Sequence, residues 1–355
     1  MTMTLADLLP LLPLLIVSAT AVLVMLQIGI RRSHTVTAAI AVTGLLLATL
    51  AAALLMSVTN AQVTPLLIID QYSLFFTVVC CAAAMFIVIL SYPYLARLDD
   101  DKDEYYLLLV IATVGAIVMV SSNHFVSTIL GLETLSMSLY GMVAYPLHSR
   151  HSALYPLEAA VKYLVLSAVS SSFMLFGMAL IYAQTGTLAF SSLIDLSSNA
   201  AVSLSDSYSI VGLLLLISGM AFKLSLAPFH MWTPDVYEGS PLPATAYLAT
   251  IGKTAMFVVL LRFVVVTDAL SYDAVVIVFS LIAVLSILVG NVLALLQIEL
   301  KRILAYSSIA HMGYLIIALI ASNFAASTIS IEAVTVYLLG YMIMSLGALG
   351  VVSVC

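Results

Sequence analysis

Glu133, Lys223, Lys253 and His311 lie deep inside apolar stretches of a chain that is 64% hydrophobic and only 8% charged. A charge at a bilayer centre costs roughly 2.5–3.5 kcal/mol on insertion scales, so ionisable residues within spans are rare and mark ion or proton routes. Their types suit proton transfer. Burial disfavours the ammonium form of a lysine and brings its proton release toward neutral pH, and a nearby carboxylate opposes that change. A glutamate and a lysine that approach or separate would make the lysine hold or release its proton, a switch usable for pumping, and Glu133 with Lys223 is the candidate pair. The alternative for one pair taken alone is a static buried ion pair that fixes helix register.

Other polar side chains are weaker candidates. Lys162 is only about five residues inside its apolar stretch and could snorkel to the interface, with Glu158 one turn before it as an i,i+4 partner; a functional and a structural role are equally open. His124 and His148 fall at segment ends and are expected at the interface. Ser167, Ser170, Ser171 and Ser172 suit close helix packing, with a water wire as the alternative. Cys80 and Cys81 are adjacent and Cys355 stands apart, so the cysteines outline neither a disulfide framework nor a metal site. The 16 methionines read as packing residues.

The elements that must hold these groups follow from hydropathy. A mean hydropathy of +1.22 over 355 residues excludes a soluble globular domain and leaves an all-α polytopic membrane protein. Apolar runs of about twenty residues suit helices across roughly 30 Å of hydrocarbon and are too long for barrel strands. The predicted spans are 7–30, 35–57, 71–95, 104–121, 123–146, 156–183, 209–228, 242–266, 272–297, 301–322 and 330–353, about eleven transmembrane helices. At about 1.5 Å per residue, Glu133, Lys253 and His311 come out roughly 15 Å deep and Lys223 roughly 21 Å from the outer face, close to one plane.

Lysine and arginine set the orientation. Arg31 and Arg32, Arg97 and Lys102, Arg150, and Lys301 with Arg302 fall on alternate connections, whereas 58–70, 184–208 and 322–329 contain neither, so the amino terminus is expected outside the cytoplasm. Arg262 fits this pattern poorly and is expected to snorkel toward Asp268. The first span lacks a positive leading region and reads as a retained helix, not a cleaved signal. The acidic connection Asp99-Asp100-Asp101-Lys102-Asp103-Glu104 reads as a solvated loop, or alternatively as a docking surface for a neighbouring subunit. The Ser-rich stretch 184–208 reads as the longest loop. The chain stops in an apolar helix with no polar tail, which points to a truncated record.

Residues 223–243 read KLSLAPFHMWTPDVYEGSPLP. Proline removes a backbone donor and clashes with the preceding turn, so the seventh span should be interrupted near Ala227–Pro228, one turn after Lys223. Broken helices leave free carbonyls and amides facing a polar cavity, and the carbonyl end of the first half would favour the Lys223 charge.

This segment, together with LGLETLS around Glu133, KYLVLSAVSSSF from Lys162 and LKRILAYSSIAHMGYL around His311, resembles the antiporter-like membrane subunits of the bacterial proton-pumping NADH:quinone oxidoreductase, respiratory complex I. TPDVYEGSPLP favours the subunit N family over its two larger relatives. The resemblance covers essentially the whole chain. It implies a membrane-arm subunit with inverted five-helix repeats, arranged here as a three-helix scaffold (1–100), a first repeat (101–270) and a partial second repeat (271–355). The family continues for three more spans, a fourteen-helix fold, with a second broken helix and a lysine beyond Cys355. The resemblance also implies roles: Glu133 pairs with Lys223, Lys162 modulates that lysine, Lys253 is the central connecting lysine, and His230 and His311 belong to the polar axis.

The same resemblance implies a subunit of a translocase with no redox chemistry of its own. NADH, FMN, iron–sulphur clusters and quinone would belong to partner subunits, and this chain would hold no cofactor or metal. Its partners would be other membrane-arm subunits, the lipid bilayer and protons, with no nucleic acid, in a bacterial inner membrane with a periplasmic amino terminus. Two other readings stay open at this point: a subunit of a multi-subunit cation/proton antiporter, and a scaffold that closes the membrane arm.

Overall fold

The computed structural model describes residues 5–57, 62–98, 101–145, 154–197, 207–322 and 327–354. In hydrocarbon, backbone amides and carbonyls have no water to bond, so an apolar run must satisfy its own ladder and becomes a helix. The helices are α1 (Leu12–Ile30), α2 (His34–Leu55), α3 (Gln71–Ala96), α4 (Asp103–Val120), α5 (Phe125–Val143), α6 (Leu154–Thr185) and α7 (Phe190–Ser197). They continue with α8 (Ser207–Lys223), α9 (Trp232–Gly239), α10 (Leu242–Tyr247), α11 (Lys253–Thr267), α12 (Asp273–Leu295), α13 (Leu300–Ala321) and α14 (Ser327–Val354). Among the described residues strand-like pairing is confined to isolated bridges, one of them antiparallel between Leu67 and Ser122.

The all-α polytopic architecture expected from hydropathy is the one that forms. Among the described residues, ten helical segments are long and apolar enough to cross a membrane. The one expected span not among them, the seventh (209–228), is the 17-residue α8, which ends early at its cap. Helices α10 and α11 form one continuous apolar segment, Leu242–Thr267, with a π turn over Leu248–Gly252 between them. The 184–208 connection is not wholly loop. It carries α7, whose Phe190 and Leu193 are buried, with the Phe190 ring edge-on to Phe263 at 5.4 Å.

The chain divides into two compact units, one of Met1–Ala160, Gly239–Val258 and Leu346–Cys355, the other of Val161–Glu238 and Val259–Ser345. In the first, α1 packs on α2 and α4, α2 on α3, and α4 on α5. The α4–α5 crossing is close because Gly115 and Gly131 face each other; a Cβ on Gly115 would lie 2.7 Å from the Gly131 carbonyl oxygen. Small residues let helix backbones approach in this way, which gives van der Waals contact where lipid supplies no hydrophobic drive.

Polar contacts close both ends of this unit. At one end the connection before α3 is laced to the turn before α5. Ile68 N–H donates to Ser121 O at 2.9 Å and Asn123 N–H to Leu66 O at 3.1 Å, and the Ser127 hydroxyl donates to Leu66 O at 2.8 Å. The expected interfacial His124 caps α5, its Nδ1 accepting from Val126 N–H; His148 lies outside the described residues. At the other end Arg32 pairs with Asp101 and, at 2.8 Å, with Glu104. The Tyr145 hydroxyl donates to Asp101 O. The described part of the acidic connection is thus engaged within the chain and is not simply a solvated loop; Asp99 and Asp100 lie outside the described residues.

Candidate functional site

Helix α8 ends at Lys223 because of its cap. Ser225 adopts φ 63°, its N–H donates to Phe222 O at 2.9 Å, and Leu226 N–H donates to Ala221 O at 2.8 Å. These two bonds make a Schellman cap, with serine where glycine is usual. The interruption expected at Ala227–Pro228 therefore begins earlier, at Leu224, and Lys223 is the last helical residue instead of lying a turn before the break. The Ala227–Pro228 peptide is cis, and helix resumes at Trp232.

Hydrogen bonds tie the interrupted stretch to its neighbours. Phe222 O also accepts the Trp232 indole N–H at 3.0 Å, and Ala227 N–H donates to Ser286 Oγ at 2.9 Å. The Trp232 ring stacks on Phe222 and on Tyr163, with centroids 5.4 and 5.0 Å away. Backbone bonds and ring stacking together fix the direction in which the chain leaves α8.

Lys223 is buried, with 7% of its surface exposed. Its Nζ donates to Ser167 Oγ at 2.5 Å. The helix dipole puts partial negative charge at the carbonyl end of α8, where the ammonium sits. Ser167 is delivered by a face of α6 on which Ser167, Ser170, Met174 and Ile181 are buried. That face lies tight against α8: the Ser170 hydroxyl donates to Gly219 O at 3.0 Å, and a Cβ on Gly177 would lie 2.6 Å from Gly212 O.

A second polar cluster surrounds Lys162, whose Nζ lies 3.2 Å from Asp235 Oδ2. The other Asp235 oxygen accepts from Arg302 at 3.0 Å, and Arg302 also holds Glu238 at 2.6 Å. Lys301 Nζ donates to Glu238 O at 3.2 Å. The i,i+4 spacing to Glu158 gives no hint of Asp235. Arg262, expected to snorkel toward Asp268, is buried instead.

The remaining predicted residues are placed as follows. His311 lies midway along α13, its Nδ1 2.7 Å from the Tyr337 hydroxyl, with the Tyr314 and Tyr341 rings 6.1 and 5.5 Å away. His230 lies in the interrupted stretch, its ring 6.5 Å from Tyr306. In the first unit, Lys253 opens α11 directly after the π turn and is 1% exposed. Glu133 is half-buried in the middle of α5. The second unit thus brings Lys223 to Ser167, Lys162 to Asp235 and His311 to Tyr337.

All six of these residues fall within the stretch 122–355, which matches the family described as NADH:quinone oxidoreductase/Mrp antiporter, TM. The chain belongs to that family. Among solved structures it is similar to a chain of respiratory complex I from Thermus thermophilus with bound aureothin: identity is 33%, over 96% of this chain and 70% of that one, with a TM-score of 0.79. It shares its fold with a chain of the archaeal membrane-bound sulfane sulfur reductase, at 23% identity, 95% and 69% coverage and a TM-score of 0.81. It also shares it with a chain of the Mrp complex from Dietzia sp. DQ12-45-1b, at 20% identity, 97% and 63% coverage and a TM-score of 0.83.

For this antiporter-family chain, sequence reasoning found Lys223 and missed its serine. By type alone Ser167 stands with Ser170, Ser171 and Ser172 as suited to close packing, with a water wire as the alternative. The signal was the three-and-four spacing of Ser167, Ser170, Met174 and Gly177, which puts two hydroxyls and a glycine on one helical face. Asp235 and Tyr337 carried no comparable pattern.

Proposed function

We propose that this chain is a proton-translocating membrane-arm subunit of a NADH:quinone oxidoreductase, of the subunit N type, in which quinone chemistry elsewhere drives proton movement through buried side chains. The observation that carries this reading is Lys223: a buried lysine at the carbonyl end of an interrupted helix, held by a hydroxyl. Burial disfavours the ammonium form of a lysine in general and a neighbouring carboxylate favours it, so a paired carboxylate can act on such a lysine. Glu133 takes that carboxylate role, Lys253 receives and passes on the proton, and His230 and His311 extend the polar axis. Lys162 modulates Lys223, with Asp235 and Arg302 fixing where its charge stands. The repeat organisation, 1–100, 101–270 and 271–355, belongs to the same reading.

The 33% identity to a chain of a respiratory complex I supports the oxidoreductase over other complexes with this fold. NADH, FMN, iron–sulphur clusters and the quinone site are assigned to partner subunits, and the setting to a bacterial inner membrane with a periplasmic amino terminus. The test is NADH-driven proton pumping by the assembled complex carrying Lys223→Ala. Pumping is expected to be lost, and undiminished pumping overturns the reading.

A second reading, a subunit of a cation/proton antiporter, has one observation in its favour: the matching family spans both kinds of complex. Sodium-dependent proton exchange in membranes without any NADH-linked activity would select it.

A further inference from the structure

The contact between Lys223 and Ser167 is built with more care than helix packing requires. Both side chains are buried, Ser167 completely, and the Nζ–Oγ distance is 2.5 Å. The α6 face that presents Ser167 is fixed against α8 on the same side by the Ser170–Gly219 hydrogen bond and by the Gly177–Gly212 approach. Lys223 is fixed from its own side by the cap at Ser225, so neither partner is free to slide along its helix.

A hydroxyl differs from a carboxylate in what it offers a lysine. It has one donor and two acceptor lone pairs, and its hydrogen rotates to suit the partner. It accepts from an ammonium and can donate to the lone pair of a neutral amine. A carboxylate accepts only, and so favours the charged form alone.

We propose that Ser167 is the positioning residue for Lys223, holding Nζ in one place in both protonation states so that proton uptake and release occur without loss of the side chain's position. Ser167 itself neither gains nor loses a proton; its hydroxyl hydrogen turns as the proton leaves Nζ for the next titratable group. The proposal rests on the proton-translocating reading of Lys223.

The experiment uses the assembled complex in native membranes and compares Ser167→Ala, Ser167→Val and Ser167→Thr with Lys223→Ala. Proton pumping is measured per NADH oxidised and normalised to assembled complex. Thr keeps the hydroxyl; Val has the same shape without it; Ala removes it without adding volume. Pumping per NADH is expected to fall in Ala and Val alike, and Thr is expected to restore most of it. Wild-type pumping in Ala overturns the proposal, as does an equal loss in Ala, Val and Thr, which would mark a packing role. If Val fails to assemble, the Ala and Thr pair decides. Loss of pumping in Lys223→Ala with none in Ser167→Ala removes Ser167 alone, whereas full pumping in Lys223→Ala removes the reading beneath it.

Discussion

Asp235 divides one carboxylate between two cations from different helices, Lys162 at 3.2 Å and Arg302 at 3.0 Å. These partners stand 73 and 67 positions away, beyond the reach of any local spacing rule, which is why the sequence shows Lys162 only its neighbour Glu158. The cluster is more than a third exposed at Asp235, so its energy is screened and each pair contributes on the order of 0.2–1 kcal/mol. A double-mutant cycle of Asp235→Ala and Arg302→Ala, read by thermal unfolding of the detergent-solubilised protein, is expected to give a coupling of about that size. A coupling well above it would mean that the pair is more desolvated than this geometry shows. The Lys223–Ser167 contact was equally hidden, although both residues had been picked out. Their types were legible, but the pairing depends on how two helix faces meet.

Among the elements, the broken helix shows what hydropathy and proline reveal and what they do not. Pro228, Pro234, Pro241 and Pro243 announced an interruption, and one is present. Its position is set by a left-handed serine, a backbone choice that an L-residue other than glycine makes at a cost of about 1–2 kcal/mol and that composition does not reveal. Ser225→Gly should therefore hold or raise thermal stability, and Ser225→Val should lower it by roughly that cost, since a β-branched residue tolerates positive φ poorly. Equal stability of the two variants would contradict the cap. The α4–α5 crossing gives a second test. A side chain at Gly131 meets Gly115 O at 2.8 Å, so Gly131→Leu must push the helices apart and is expected to cost roughly 1–3 kcal/mol or more. The measurement is again thermal unfolding, with Gly141→Ala as control, since its nearest neighbour is the flexible tip of Leu108. The π turn before Lys253 has no signature in the sequence, because 242–267 is a largely apolar run in which periodicity does not separate a π turn from its flanking helix.

At the scale of the whole molecule, membrane sidedness joins charge counting to contacts that distance alone could not have foretold. In the orientation we propose from the Lys and Arg pattern, Arg31, Arg32 and Lys102 lie on the cytoplasmic side and the 58–70 connection on the other. The first unit agrees in its own contacts. Arg32 reaches Asp101 and Glu104, which requires the 31–33 and 101–104 connections to share an end. The 62–70 connection is bonded to 121–123, which requires those two to share an end as well. A span separates each pair from the next, so the two ends must lie on opposite faces of the bilayer. In a background lacking Cys80, Cys81 and Cys355, a membrane-impermeant thiol reagent should label Ser33→Cys only from the cytoplasmic face and Gln62→Cys only from the opposite face. Labelling of both from one face would break the helix count, and an exchange of faces would leave the fold intact while reversing the proposed orientation.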